Sequence, residues 1–187
     1  MNYAKHASIF CGLVALGVAS RLIQEFFPSI PPNFHAISAI AIFAGLYFSR
    51  AWVAASVPLA AMLISDQWIG GYEFQVMVVV YASLLLPLVF RTVLRSRTSV
   101  ARVSVSALAC SIVFYVTTNL AVWHCWYEHS SAELIRCYMV ALPFLLYAMA
   151  GDLAYSLGLL AVYRMAASLR APEGSRATSI LVPKAAA

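Results

Sequence analysis

Apolar residues follow one another in six long blocks along this chain, and polar residues gather at the block ends. The blocks run roughly Ala7–Phe27, Phe34–Phe48, Ala51–Ser65, Phe74–Leu94, Val103–Trp123 and Tyr138–Tyr163. The pattern predicts an all-α bundle of six transmembrane helices. The second and third blocks are separated only by Ser49-Arg50 and predict a hairpin of two short helices. Each holds about 15 residues, or about 22 Å of helix, against a hydrocarbon core of about 30 Å. Such helices borrow flanking residues, tilt little or thin the bilayer. A re-entrant hairpin is the alternative. It would bury Arg50 deep in the membrane at a cost of several kcal/mol, so two crossings are preferred.

Composition narrows the class. The 187 residues are 63% hydrophobic and only 10% charged, which excludes an ordinary soluble domain. Residues 1–167 make one membrane domain, and the polar, small-residue tail 168–187 reads as a disordered cytoplasmic extension. The opening MNYAKHASIFCGLVALGVAS also resembles a secretory signal, with Gly17-Val18-Ala19 as a small-x-small site. Cleavage there would leave five spans in the same orientation, but the apolar run through Leu22, Ile23, Phe26 and Phe27 argues for a retained helix.

The net charge of +5 invites a nucleic-acid reading until the charges are placed. One face carries Lys5, Arg50, Arg91, Arg95, Arg97, Arg102, Arg164, Arg170, Arg176 and Lys184, ten of the twelve basic residues. The other holds only Arg21 and Arg136, against Glu25, Asp66, Glu73, Glu128 and Glu133. The basic face is therefore cytoplasmic and holds both termini of a multi-pass inner-membrane protein. The partner of these charges is the lipid bilayer, not nucleic acid, and the cluster RTVLRSRTSVAR attracts anionic lipid.

The opposite face collects candidate chemistry: Asn33, Phe34, His35, Asp66, Gln67, Tyr72, Asn119, Trp123, His124 and Tyr127. Aromatic faces with a few polar groups suit a pocket for a small organic solute. Interfacial aromatics and helix-end caps explain the same residues without one. The lining expected of a pocket is Asn33, Phe34, Asp66, Asn119 and Trp123. Within the spans, Asp152 needs a partner: Arg21, Tyr155, Asn119 or its own proton. No second intramembrane acid accompanies it, which favours a polar anchor over a proton relay. Arg21 either snorkels, pairs with Asp66 or meets an anionic part of a substrate. Ala15 and Ala19 form a small-xxx-small pair suited to close helix packing, with Ala41 and Gly45 similar.

The loop HCWYEHSSAELIRC holds His124, Cys125, His129 and Cys137. Its spacing matches no standard zinc pattern, so no metal is expected, and a Cys125–Cys137 disulfide is the stronger alternative. Cys11 and Cys110 read as small fillers within spans. No catalytic constellation and no phosphate-binding Gly-rich loop is present, so neither an enzyme nor a cofactor is expected, and the chain cannot hydrolyse ATP itself.

The order Arg21, PPNF (Pro31–Phe34), AIAIFAGLYF (Ala39–Phe48), PLAAMLISD (Pro58–Asp66), TTN-x-x-x-W (Thr117–Trp123), CYMVALPF (Cys137–Phe144) and GDLAYS (Gly151–Ser156) resembles a family of small bacterial membrane proteins. Most of its members are uncharacterised or assigned to transport without an established function. The block PPNFHAISAIAIFAGLYFSRAW is also similar to the start of cobalamin-type substrate-binding subunits of energy-coupling-factor (ECF) transporters. That resemblance implies a six-span subunit that binds a vitamin-like small molecule and docks a transmembrane coupling subunit with ATPases, Ala15 and Ala19 forming the docking face. The cobalt-ligating cysteine of the cobalamin subunit has no counterpart in Ile64–Val80. The expected function is thus an uptake subunit for a small micronutrient; the alternative is a non-transporting scaffold or assembly subunit of a larger membrane complex.

Overall fold

A computed structural model describes residues 3–71, 73–96 and 98–169. Among these the chain is all helical: α1 (Tyr3–Phe26), α2 (Ile37–Tyr47), α3 (Ala51–Ile69), α4 (Phe74–Ser83), α5 (Arg91–Ser96), α6 (Val100–Trp126) and α7 (Ser131–Leu169). A single 3₁₀ turn, Leu86–Leu88, joins α4 to α5. Five stretches are long and apolar enough to cross a membrane: α1, α3, the α4–α5 run Phe74–Ser96, α6 and α7. Such a set is compatible with a multi-pass membrane protein. Tyr72, Arg97, Arg170, Arg176, Lys184 and nearly all of the predicted tail lie outside the described residues. The tail's first two residues, Ser168 and Leu169, continue α7.

The exception is α2. Its block predicts a helix over Phe34–Phe48, but only 11 residues are helical, a rise of about 17 Å. The reason lies upstream. Pro31 and Pro32 carry no N–H, and Asn33 adopts a left-handed φ of 63°. The segment before α2 therefore turns, with Phe34 N–H bonding Pro31 O at 3.3 Å. At the far end Phe48 turns to extended backbone (ψ 128°). What remains is apolar apart from Ser38, and a helix of that kind belongs in an interior. Ile37, Ile40, Ala41 and Ala44 are wholly buried.

The rest of the bundle packs around it. α2 runs back along α1: Ile37 and Ile40 lie against Gly17, while His6 near the start of α1 meets Tyr47 and Phe48. A Cβ on Gly17 would come within 2.6 Å of Ile40 Cδ1 and 2.8 Å of Ala61 Cβ. Glycine is thus what lets α1, α2 and α3 meet at one point. At the end of α2, Arg91 donates to the carbonyls of Phe48 (3.2 Å) and Ser49, and Arg95 to Phe48 O (3.3 Å). These basic residues satisfy carbonyls that the end of a helix leaves open.

Elsewhere the boundaries have local causes. Pro87 interrupts the fourth block, and the chain tightens through Leu88 N–Leu85 O and Val89 N–Leu86 O bonds before α5. Ser99 caps α6, its hydroxyl accepting from Arg102 N. Ser130 does the same ahead of α7, accepting from Glu133 N. The cap starts α7 seven residues before the predicted Tyr138, and the 39-residue helix rises about 58 Å.

Candidate functional site

The half of the bundle near the C-terminal end of α1 holds a polar interior. Ser20 Oγ accepts the backbone N–H of Ala36 at 3.0 Å and so fastens the segment before α2 onto α1. One residue on, Arg21 is buried and reaches α3. Its guanidinium pairs with Asp66 Oδ1 at 2.6 Å, donates to the Ser65 hydroxyl, and lies 3.5 Å from Met62 O. Tyr81 of α4 donates to Asp66 Oδ2 at 2.6 Å. Buried ions persist in such a setting only when paired and hydrogen-bonded. Of the alternatives open for Arg21, the ion pair with Asp66 is the one formed.

Asp152 lies elsewhere. It faces α6, where Ser111 bonds its Oδ2 at 2.6 Å, and α2, where Ser38 sets a second hydroxyl beside it. It does not pair with Arg21, whose partner is Asp66. Gly151, just before it, lets α7 approach the Asn33–His35 backbone: a Cβ there would sit 3.1 Å from Phe34 Cα and 3.3 Å from His35 N. One turn further along α7, Tyr155 packs on the Phe34 ring, centroids 5.8 Å apart. The PPNFH and GDLAYS blocks, far apart in sequence, are thus two sides of one contact.

Between these walls lies a cavity of about 260 Å³. Arg21, Asn33 and His35 supply its polar side; Met62, Val76, Val80, Phe114 and Trp126 supply the apolar remainder. The Nδ1 of His35 is buried with no hydrogen-bond partner. Asn33 and Phe114 also line a neighbouring space of about 110 Å³, which Asn119 and Tyr115 share. A larger groove of about 470 Å³ lies at the opposite end, between Tyr3, Arg50 and Trp52. It is a surface groove beside two exposed aromatics. The interior cavity, with convergent hydrogen-bonding groups, is the better candidate for a specific small ligand.

The expected lining residues fall in different places. Asn33 faces the cavity. Phe34 is turned to Tyr155. Asp66 stands behind Arg21, its carboxylate engaged by that residue and Tyr81. Asn119 donates to Tyr115 O on its own helix at 2.8 Å and borders the smaller space. Trp123 packs on His129 at 5.1 Å, its indole nitrogen buried and unpartnered. Ala15 and Ala19 are exposed on α1, so neither packs inside the bundle. Ser65, Tyr81, Ser111 and Trp126 were not singled out in the sequence. Tyr81 had one visible signal, an aromatic hydroxyl in a run that is otherwise mostly aliphatic.

The cysteines of the outer loop are not joined. Cys125 lies against Gln75 of α4 at 3.3 Å, and Cys137 is buried on α7 against Asn119 O at 3.5 Å. The disulfide expected as an alternative is absent because the two thiols face different helices. His124 and His129 stack, centroids 5.0 Å apart, and among the described residues no cluster of three metal-ligating side chains forms. Cys110 is buried as a filler would be, whereas Cys11 is exposed on α1.

No curated protein and no solved structure matches the chain. A family model matches residues 1–174 of the chain. The chain belongs to the family of unknown function DUF6580.

Proposed function

We propose that this protein is a membrane-embedded substrate-binding subunit for uptake of a small, vitamin-like micronutrient, of the kind found in ECF transporters. The observation that carries the reading is the 260 Å³ cavity with His35, Asn33 and Arg21 on one side and an apolar wall on the other. In this reading α2 and α3 form a hairpin that crosses the membrane, giving six crossings with both termini in the cytoplasm. The basic face then carries Arg50, Arg91, Arg95, Arg102 and Arg164, and the cavity opens toward the outside.

The ion pair shapes what is bound. Asp66 already neutralises Arg21, so the site offers hydrogen bonds without net charge, and its occupant is a neutral, mostly apolar molecule. The volume lies slightly below the usual pocket range of about 300–1,000 Å³, which suits a one- or two-ring compound and is too small for a corrinoid. Movement of the substrate inward requires an energised partner. The exposed small residues Ala15 and Ala19, together with Gly12, whose surroundings are open, offer α1 as the surface where a coupling subunit with ATPases docks.

A thermal-shift screen of purified protein tests this. Small neutral vitamins and their heterocyclic precursors raise the melting temperature; corrinoids do not. A flat response across the panel refutes the reading. One observation favours the alternative, a scaffold or assembly subunit: the outer faces of α6 and α7 expose large aliphatic side chains such as Val105, Leu120, Leu146 and Val162, which a neighbouring subunit could cover. Recovery of one stable membrane complex, unchanged by His35→Gln, supports that alternative.

A further inference from the structure

Beside the larger cavity is a small space of about 10 Å³, lined by Asn33, His35, Ser38, Ser111 and Asp152 among its polar groups. That volume is about the least that holds one water, and a buried water needs two to four polar partners, which this space supplies. His35 and Asn33 border both spaces, so one side of each faces the candidate substrate site.

Two titratable groups look onto this space, and neither has an opposite charge of its own. Asp152 is buried with only hydroxyls beside it, Ser111 from α6 and Ser38 from α2. The buried Nδ1 of His35 has no side-chain partner. The other ionisable groups nearby do not supply a counter-ion. Cys110 of α6 is a buried thiol, and Arg21, whose positive charge lies near enough to His35 to oppose an imidazolium there, is engaged by Asp66. A carboxyl in this position resides either as the neutral acid or beside a newly protonated base. Ser111 supports both states. Its hydroxyl donates to Ala107 O (3.2 Å) while accepting from the acid, or turns to donate to the carboxylate.

We propose that Asp152 and His35 are a proton-exchanging pair bridged by a single buried water. The carboxyl gives its proton to the water, which passes one to His35 Nδ1; neutral acid and neutral imidazole become carboxylate and imidazolium, with no atom or electron unaccounted for. Because His35 also faces the larger cavity, the proton's position and the occupant of that cavity are linked. The inference rests on the transport reading for its purpose. Its test needs no solute, so the two fail separately.

Infrared difference spectroscopy of the purified protein reads the protonated carboxyl directly. The expected result is a carboxylic-acid C=O band that shifts in D₂O and loses intensity as the pH is raised, the neutral acid giving way to carboxylate. Asp152→Asn abolishes the band. His35→Gln leaves it but moves its frequency, because the bridging water loses a partner. If Asp152→Asn does not fold, the wild-type pH series and His35→Gln carry the test. A band indifferent to both pH and His35→Gln overturns the proposal. So does a band removed by Na⁺ at constant pH, which would make the space a cation site.

Discussion

Replacing Asp66 with asparagine keeps the side chain's shape and removes the charge that faces Arg21. The two side chains are only 6% and 10% exposed, so solvent does little to replace the lost partner. Arg21 keeps the Ser65 hydroxyl and the Met62 carbonyl but loses its counter-ion. With an effective dielectric constant near 20, two charges about 4 Å apart attract by about 4 kcal/mol. Removing one member of a buried pair typically costs about 3–5 kcal/mol. The carboxylate oxygen that Tyr81 uses becomes a weaker acceptor or a donor in the amide, adding up to about 1 kcal/mol. Asp66→Asn is therefore expected to destabilise the bundle by about 3 kcal/mol. Equilibrium unfolding in mixed micelles titrated with SDS, followed by tryptophan fluorescence, measures it. The double variant Arg21→Met/Asp66→Leu recovers most of the loss, since neither charge is then left alone. A single-variant loss under about 1 kcal/mol, the range of an exposed pair, would falsify the reasoning. So would a double variant as unstable as the sum of the two singles.

Three further outcomes follow from the packing. Gly17→Ala forces a methyl against Ala61 Cβ, which cannot rotate away, and lowers stability by about 1–3 kcal/mol in the same assay. Asn33 sits at φ 63°, so Asn33→Val loses about 1–2 kcal/mol through backbone strain while Asn33→Gly does not; equal losses for the two contradict the turn. Maleimide labelling in detergent distinguishes the thiols: Cys11 reacts readily, and Cys110 and Cys137 react only on unfolding. Full protection of Cys11 would mean that the outward face of α1 is covered.

The bundle was largely legible in the chain, because long apolar blocks leave little choice in a low-dielectric medium. The boundaries were less so. The shortness of α2 follows from Pro31-Pro32 and the left-handed Asn33, and nothing in the apolar run itself announces it. The early start of α7 follows from one serine hydroxyl at position 130. At the site, several of the polar residues at block ends lie in the half of the bundle that holds the cavity. Which of them face inward depends on helix rotation, and sequence does not report that. Phe34 and Trp123 point to other aromatic rings, and Asp66 points to Arg21. Ser111 escaped notice because a serine in a membrane helix is ordinarily satisfied by its own backbone; its role depends on Asp152 arriving from 41 positions away.

The arginine clamp on the end of α2 bears on how the protein is made. Eleven residues are too few to be held across a membrane by their own greasiness. The donors that close Phe48 O are 43 and 47 positions further on, so they leave the ribosome well after the segment they secure. The C-terminal end of the second helix is then closed only after the chain beyond Arg91 has emerged. Truncation before Arg91 should leave the carbonyls at the C-terminal end of α2 open.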